Sequence, residues 1–421
     1  MRTAGAQPTA FRSGIVAALD IGSSKVICLI GRAEPGTLRV LGAALREAQG
    51  IKCGTVVNLQ QAEDSIREVV AAAENHADMR IQDVLISVNC GSPTSVTTRA
   101  AMSLDGALVS DRHLQELLRQ AREACRLEGR ETIQATPISY VVDEARGVRD
   151  PRGMFCQRIG VSMHAVAVKP SPLQNLKLAV ERCHLTIAGT LVSAYASGLS
   201  TLAPDEMQLG VTLLDMGGGT TSIAVFLEGE LVFADVVPLG GNHVTADLAR
   251  MLAAPVSAAE RLKALYGAAL GDIETGTDIV AVPQMGEDGD ESVFRVPRSM
   301  LTRIIQPRLE EIFLQVQTRL RDSGFDVAAG RRAVLTGGAS QLAGTRELAQ
   351  RVLNKQVRLG RPETFAGMPA VGAGPDYATA LGLLMAGATM SPEILNPEMA
   401  AEIEDAPQGG FFRRLVGGIL G

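Results

Sequence analysis

No tryptophan occurs in this chain, and aromatic residues make up 3% of it, against 46% hydrophobic and 20% charged residues, the balance of a soluble globular protein. There is no basic excess. The 40 Lys and Arg are outnumbered by 46 Asp and Glu, for a formal net charge of -6, which argues against a general nucleic-acid binder, because that function calls for a basic patch or excess. Cysteine pairing motifs are missing as well. Cys28, Cys53, Cys90, Cys125, Cys156 and Cys183 stand far apart with no C-x-x-C spacing, so reduced thiols in a cytosolic compartment are expected. The five histidines form no H-x-x-x-H or H-E-x-x-H set, which leaves no transition-metal site to propose. Residues 1–13 lack the apolar centre of a signal peptide and read as a disordered N-terminus. No stretch approaches the roughly 18 consecutive apolar residues that cross a bilayer. A cytosolic protein is expected, with any membrane contact made through a tether.

A chain of 421 residues exceeds what one ordinary core organises and predicts two lobes or several subdomains. The organising stretch is residues 211–222, VTLLDMGGGTTS. Val211, Leu213 and Leu214 read as a buried strand that delivers Asp215, and the apolar pattern resumes at Ile223 after a tight turn of Gly217, Gly218 and Gly219. Lacking Cβ atoms, these glycines are expected to adopt positive φ and present backbone N–H groups to a phosphate, with Thr220 and Thr221 adding hydroxyl donors. Asp215 is placed to hold hydrated Mg²⁺, an ion that prefers carboxylate and phosphate oxygens. A plain β-hairpin with a glycine-rich turn is the alternative, since short motifs recur by chance.

A second copy weighs against that alternative. Residues 15–30, IVAALDIGSSKVICLI, repeat the order of strand, Asp, apolar residue, Gly, small polar residues and strand, the self-similarity of a duplicated architecture. Asp20 then corresponds to Asp215, and Gly22, Ser23 and Ser24 form a second phosphate turn. Lys25 adds a positive charge beside it unless that side chain is simply solvated. Two such turns, one per half, can clamp a nucleotide between two domains.

The remaining pattern is α/β. A strand at 38–43, a helix at 62–75 with Ile66, Val69, Val70 and Ala73 at helical spacing, and a strand at 84–88 complete a first core segment, residues 14–90. From Gly91 the composition changes. A Thr/Ser-rich extended piece, a charged helix at 111–128 with Asp111 as its N-cap, and strand-like segments at 132–142 and 157–168 make an inserted subdomain, residues 91–169. The first lobe resumes over 170–205 with helices at 173–183 and 195–202, the second built of small residues that permit close packing. The second lobe begins over 206–239, holds its own insertion over 240–330 and closes over 331–390. Within it Gly240, Gly241 and Asn242 turn into a helix, and Glu260 and Lys263 share one helical face, where a solvated ion pair is the ordinary reading. A helix over 298–322 is expected to be interrupted at Pro307. Residues 333–348, AVLTGGASQLAGTREL, set Gly337 and Gly338 before a helix that Ser340 or Thr345 can cap, a setting that suits a nucleotide's sugar, base or phosphate. Residues 376–388 form a second small-residue helix.

Asp-turn hairpin, small-residue helix, Asp-turn hairpin, T-G-G-A turn and second small-residue helix, in that order, resemble the actin, Hsp70 and sugar-kinase superfamily over nearly the whole chain. The resemblance implies an α/β, actin-like two-lobed ATPase-type fold of duplicated ribonuclease H-like domains with inserted subdomains. Within that superfamily the chain resembles the FtsA family of bacterial cell division. The segments that carry this are LDIGSSKV, LLDMGGGTTSIAVF, the G-G-N-x-V-T-x-D-L turn at Gly240, the A-E-R-L-K helix at Ala259, I-x-P-R at Ile305 and VLTGGASQL. The insertion lies in the first lobe, where that family carries its distinctive subdomain. ATP and Mg²⁺ are implied as ligands, with Asp20 and Asp215 facing the ion through water and the two turns holding the phosphates. Glu260, Lys263, Gly337, Gly338 and Ser340 would surround the nucleoside, and Gly241, Asn242 and Ala339 join them as implied nucleotide contacts. The resemblance further implies filament formation, binding of the FtsZ C-terminal tail, recruitment of later division proteins, and a peripheral place on the cytoplasmic side of the inner membrane at midcell. Arg308 and Glu311 are the first candidates for the FtsZ surface, against the ordinary reading of charges on a solvated helix face.

One departure bears on chemistry. Many relatives that hydrolyse ATP place Glu or Gln at the head of the first small-residue helix to orient water, whereas Val192, Ser193, Ala194 and Tyr195 stand there in this chain. Serine is a poor base at neutral pH, so ATP binding with slow turnover at most is expected, and no catalytic residue is named. The end of the chain supplies the tether. Residues 391–408 read as a flexible linker, acidic over its second half, and 409–421 read GGFFRRLVGGILG. At about 100° per residue, Phe411, Phe412, Leu415, Val416, Ile419 and Leu420 fill one half of a helical wheel, and Arg413, Arg414, Gly417 and Gly418 the other. An interfacial membrane helix is expected rather than one docked on the body. Two other readings stay open: a small-molecule kinase, which needs a base beside the γ-phosphate, and an actin-like scaffold of a pilus or secretion machine, which would share the nucleotide site.

Overall fold

The structure is a computed structural model and describes residues 14–271, 278–284, 293–368, 374–390 and 392–396. The first lobe opens with β1 (Gly14–Ile21), β2 (Lys25–Glu34) and β3 (Thr37–Glu47), then a short hairpin of β4 (Ile51–Lys52) and β5 (Thr55–Val56), helix α1 (Leu59–Ala77) and β6 (Asp83–Val88). The insertion follows as β7 (Thr94–Leu108), α2 (Asp111–Ala124), β8 (Glu131–Val142), β9 (Ala145–Val148) and β10 (Phe155–Val168). The lobe is completed by α3 (Pro170–Glu181), β11 (Thr186–Val192), α4 (Ser193–Thr201) and α5 (Pro204–Leu209). The second lobe contains β12 (Val211–Met216), β13 (Thr221–Leu227), β14 (Glu230–Val237), α6 (Gly241–Met251), α7 (Val256–Tyr266), β15 (Ile279–Pro283), β16 (Val293–Pro297) and α8 (Arg298–Asp322). Then come α9 (Phe325–Ala328), β17 (Arg332–Thr336), α10 (Thr345–Leu353), β18 (Gln356–Leu359), α11 (Ala378–Thr389) and α12 (Pro392–Leu395).

The two lobes share one sheet topology. One sheet runs β11-β6-β1-β2-β3 and the other β18-β17-β12-β13-β14, read from its opposite edge. In each, an antiparallel three-strand meander is extended from its first strand by two parallel strands. Helices cover both faces of the first sheet, which is why Val26, Ile27, Cys28, Leu29 and Ile30 are buried without alternation. Between the two sheets lie α4 and α11, whose small side chains let the backbones touch. A Cβ on Gly382 would sit 1.6 Å from the Ala196 carbonyl oxygen, and one on Gly198 would sit 2.5 Å from the Phe226 ring.

Three local expectations are corrected. The cap of α2 is Ser110, whose hydroxyl accepts the His113 N–H while His113 Nδ1 accepts the Ser110 N–H. Asp111 is the first helical residue, because Ser and Asp are both good caps and only the reciprocal bond to His113 separates them. Helix α8 runs through Pro307 without a break. Proline removes one intrahelical bond, but Leu301, Ile305, Leu309, Ile312 and Phe313 are buried along the same helix, and that packing outweighs the loss. Neither Ser340 nor Thr345 caps α10, which starts at Thr345 after Gly344 in the left-handed region.

The insertion is a four-stranded sheet, β7-β10-β8-β9, packed under α2 with its own core of Leu114, Leu117, Ile159 and Met163. Ile138 of β8 packs on the core of the second lobe, and among the described residues the hydrogen bonds to that lobe run through Ser95. Ser95 Oγ donates to the Ala234 carbonyl (2.9 Å) and accepts the Ala234 N–H (2.7 Å) on the edge strand β14, and His164 Nε2 lies 3.0 Å from the same oxygen. With its donor spent, Ser95 can only accept from His164, which fixes the neutral Nε2–H tautomer. Nδ1 is buried with no partner among the described residues, and burial pushes the pKa of His164 down to about 4.

A histidine held neutral below its unfolded pKa of about 6.5 contributes stability that is complete above that pH and is lost as pH falls toward the folded value. Between pH 7.5 and 5 the loss is about 2 kcal/mol. His164→Gln, uncharged at both pH values, should therefore show about 2 kcal/mol less pH dependence in its unfolding free energy than wild type, measured by urea titration. Equal pH dependence in the two proteins would show that His164 is not held neutral.

Candidate functional site

Both Asp turns are built the same way. Asp20 and Asp215 are the penultimate residues of β1 and β12. Each following turn is closed by one backbone bond, Gly22 N–H to Lys25 O (3.0 Å) and Gly217 N–H to Thr220 O (2.8 Å). The glycines act through size rather than handedness. Gly217, Gly218 and Gly219 do not adopt the expected positive φ, but a Cβ on Gly218 would lie 1.8 Å from Ser24 Oγ and one on Gly219 2.4 Å from Ser23 Oγ. Among the predicted site glycines only Gly337 needs the left-handed region, with φ of 81°, and its Cβ would lie 2.4 Å from Asp215 Oδ1.

The two carboxylates converge on one cavity, which Gly22, Ser23, Ser24, Lys25, Gly217, Gly218, Gly219, Thr220, Gly337 and Gly338 also line. Asp20 Oδ1 accepts from Ser87 Oγ at 2.6 Å, and Asp215 Oδ2 accepts from Thr379 Oγ1 at 2.8 Å. Burial pushes Asp20 up to about 6, with the Asp215 charge adding to the rise and Ser87 and Lys25 opposing it. Burial also raises Asp215, against the pull of Thr379, Ser197 and Lys25. Two desolvated carboxylates that repel one another fit a divalent cation, whose charge would keep both ionised, and hard oxygen donors are the set Mg²⁺ takes.

Direct bonds hold the lobes together across this cavity. Ser24 Oγ donates to Asn242 Oδ1 (2.8 Å), Asn89 Nδ2 to Thr220 Oγ1 (3.3 Å) and Lys25 Nζ to Asp376 Oδ2 (2.8 Å). The cavity measures about 60 Å³. That is room for an ion and a water or two, so a triphosphate requires the turns to part.

The third group of predicted residues meets beside the turns. Gly241 N–H donates to Gly217 O (3.0 Å) and Asn242 N–H to Gly218 O (2.8 Å), which ties the head of α6 to the second Asp turn. Lys263 Nζ donates to Glu260 Oε2 (2.7 Å), Thr245 Oγ1 (2.8 Å) and Gly241 O (3.2 Å). With 15% of its side chain exposed, Lys263 is not the solvated partner that helical spacing alone implies. A Cβ on Gly241 would lie 3.2 Å from the Ala339 Cβ, so the T-G-G-A turn closes the same cluster. Two predicted hydroxyls point elsewhere. Thr221 Oγ1 donates to Leu239 O (2.9 Å) and Ser340 Oγ to Gly337 O (2.7 Å), and both residues are buried. They shape the turns instead of facing the cavity, because the strand alternation at Thr221 and the short helical turn at Ser340 direct them inward.

Arg308 and Glu311 lie apart from this site. Arg308 grips Asp247 of α6 with two bonds, 2.7 and 3.1 Å, and donates to Glu311 at 2.5 Å. Only Glu311 remains substantially exposed, on a shallow groove of α8 that also includes Pro307, Glu310, Leu314 and Thr318. Phe411, Phe412, Arg413, Arg414, Leu415, Val416, Ile419 and Leu420 lie outside the described residues. Among the described residues no helix is long and apolar enough to cross a membrane.

Sequence reading missed Ser87, Asn89, Asp376 and Thr379, which carry no motif of their own. It also missed Gln134. This fully buried amide from β8 of the insertion accepts the Val192 N–H at 3.3 Å, so an amide does stand at the head of α4 although none is near in sequence.

Comparison with known proteins bears on the family and the fold. The family model described as "Cell division protein FtsA" matches residues 212–382, and that of the "SHS2 domain inserted in FTSA" matches residues 91–167. The cell division protein FtsA of Rhizobium meliloti (strain 1021) is 41% identical over 417 residues, covering 96% of this chain and 92% of the relative. Those of Pseudomonas aeruginosa PAO1 and Escherichia coli K12 are each 32% identical, over 95% of this chain and 96% of theirs. Among solved structures, the PilM-PilN type IV pilus biogenesis complex aligns with a TM-score of 0.62 at 17% identity, covering 89% of this chain and 98% of the other. MreB5 of Spiroplasma citri bound to ADP aligns with a TM-score of 0.52 at 12% identity, covering 93% and 99%. At such identities these two likenesses speak to the actin-like fold alone.

Proposed function

We propose, from the premise that this chain belongs to the FtsA family of bacterial cell division proteins, that it is an actin-like ATP-binding adaptor that polymerises, ties FtsZ filaments to the cytoplasmic face of the inner membrane and helps recruit later division proteins. The observation that carries the nucleotide reading is the convergence of Asp20 and Asp215, on duplicated turns, with Gly337 and Gly338 around one cavity.

Bound Mg²⁺ would supply the positive charge that a triphosphate and two buried carboxylates otherwise lack. Asp20 and Asp215 would hold it through water, Ser87 and Thr379 orient those carboxylates, and the backbone of both turns would face the phosphates. Lys263, Glu260 and Ala339 frame the nucleoside end. Loading would exchange the contact of Ser24 with Asn242 at the head of α6 for contacts to phosphate, so the nucleotide would set the angle between the lobes through differential affinity.

Turnover is slow in this reading. Asp20, Asp215 and Asp376 are the carboxylates lining the cavity among the described residues; the first two face the ion and Lys25 holds the third. The Gln134 oxygen is spent on Val192. Full-length protein should pellet as polymer at high speed only with Mg²⁺ and ATP, while releasing phosphate far more slowly than the roughly 10 per second of a typical enzyme. Release at that rate would favour the kinase or ATPase reading, and polymer indifferent to nucleotide would break the link between the cleft and assembly. The FtsZ tail is assigned to the α8 groove beside Glu311 and the half-exposed Leu314, and Arg308 fixes the wall of that groove.

A further inference from the structure

We infer that Ser193 is the residue that distinguishes a nucleoside triphosphate from a diphosphate in this cleft, by donating its hydroxyl to the terminal phosphate. The inference rests on the nucleotide reading above. Among the described residues, the buried side-chain atoms Gln134 Nε2, His164 Nδ1, Ser193 Oγ, Thr212 Oγ1 and Thr345 Oγ1 have no hydrogen-bond partner. Of the residues that own them, only Ser193 lines the cavity between Asp20 and Asp215. It is 4% exposed, and a buried hydroxyl without a partner is costly enough that a native fold retains few of them.

Its position explains what it would bind. Ser193 is the first residue of α4, a nine-residue helix whose N-terminus carries no side-chain cap, so the positive end of the helix dipole and the unpartnered O–H occupy the same place. An anionic oxygen is the partner both call for. Helix α4 is held near both ends. Gln134 of the insertion accepts the Val192 N–H at 3.3 Å, and Ser200 Oγ donates to the Ala378 carbonyl of α11 at 2.7 Å. Helix α11 in turn carries Thr379, which bonds Asp215. A terminal phosphate gripped by Ser193 would therefore bear on the helix pair packed between the lobes and, one residue away, on the inserted subdomain. A diphosphate, one phosphate shorter, would leave the hydroxyl unmet.

The test is titration of the full chain with Mg-ATP and with Mg-ADP, in wild type and in Ser193→Ala. Loss of one hydrogen bond to a charged phosphate should weaken ATP binding about tenfold and ADP binding much less, so the ATP-over-ADP preference falls about tenfold. Nucleotide-free Ser193→Ala should melt at the wild-type temperature or above it, because the hydroxyl removed has no partner to lose. A lower melting temperature would show that the hydroxyl is satisfied within the fold and would overturn the inference. So would equal weakening of both nucleotides, or no change in either, and in those cases wild-type binding would leave the nucleotide reading itself standing. Failure of wild type to bind either nucleotide would remove that reading and this inference together.

Discussion

Asp215→Ala is expected to abolish the protection that Mg-ATP gives against thermal unfolding while leaving the melting temperature of the free protein nearly unchanged. A ligand at a hundredfold excess over its dissociation constant stabilises the folded state by about 2.7 kcal/mol, a shift of several degrees that differential scanning fluorimetry resolves. The substitution removes the second of two carboxylates facing the ion, and a neutral methyl cannot hold a hydrated cation. In the free protein the balance is close. Alanine forfeits the bond from Thr379, but it also relieves a carboxylate that burial disfavours and that repels Asp20. An unchanged ATP increment in the variant would show that the nucleotide binds elsewhere.

The second large effect lies in residues 409–421. If the segment is the helix read from its sequence, its six apolar side chains would share one face and contribute on the order of 1 to 2 kcal/mol each when buried. Ordering the segment opposes this, and the four glycines at Gly409, Gly410, Gly417 and Gly418 raise the opposing term. Arg413 and Arg414 add about 1 kcal/mol each on anionic lipid. One copy should thus bind weakly and reversibly, and a filament that presents many copies should bind firmly through avidity. Phe412→Glu puts a charge in the middle of the apolar face and should abolish vesicle co-pelleting without changing the ATP-dependent melting shift. Vesicle binding that survives Phe412→Glu, or removal of 409–421, would mean that the anchor is elsewhere.

The parts of the site legible in the sequence are those where one residue type is forced by backbone geometry. Gly218 and Gly219 tolerate no Cβ against Ser24 and Ser23, and Asp20 and Asp215 recur at the same step before the end of each strand, so both turns announce themselves. Even there the reason differs from the expected one, since close approach between lobes, and not positive φ, demands the glycines. Asp376, Thr379, Ser87 and Gln134 were not legible because nothing local marks them. Each reaches the cavity or the head of α4 from a distant element, placed by the packing of α11, β6 and β8. The interruption expected at Pro307 failed for the opposite reason: a strong local signal was overridden by burial along α8. Duplicated topology was readable from the two Asp turns alone, whereas the hydrogen bonds that tie the insertion to β14 come from the hydroxyl of Ser95, which no pattern singles out.

The most direct measurement mixes the full chain with FtsZ, Mg-ATP and vesicles containing anionic lipid, and scores FtsZ in the vesicle pellet. FtsZ should pellet with wild-type protein, and should stay in the supernatant when residues 409–421 are removed, when Asp215→Ala replaces wild type, or when Glu311→Arg alters the α8 groove. FtsZ carried down equally by the protein lacking 409–421 would contradict an adaptor that joins nucleotide, filament and membrane in one chain.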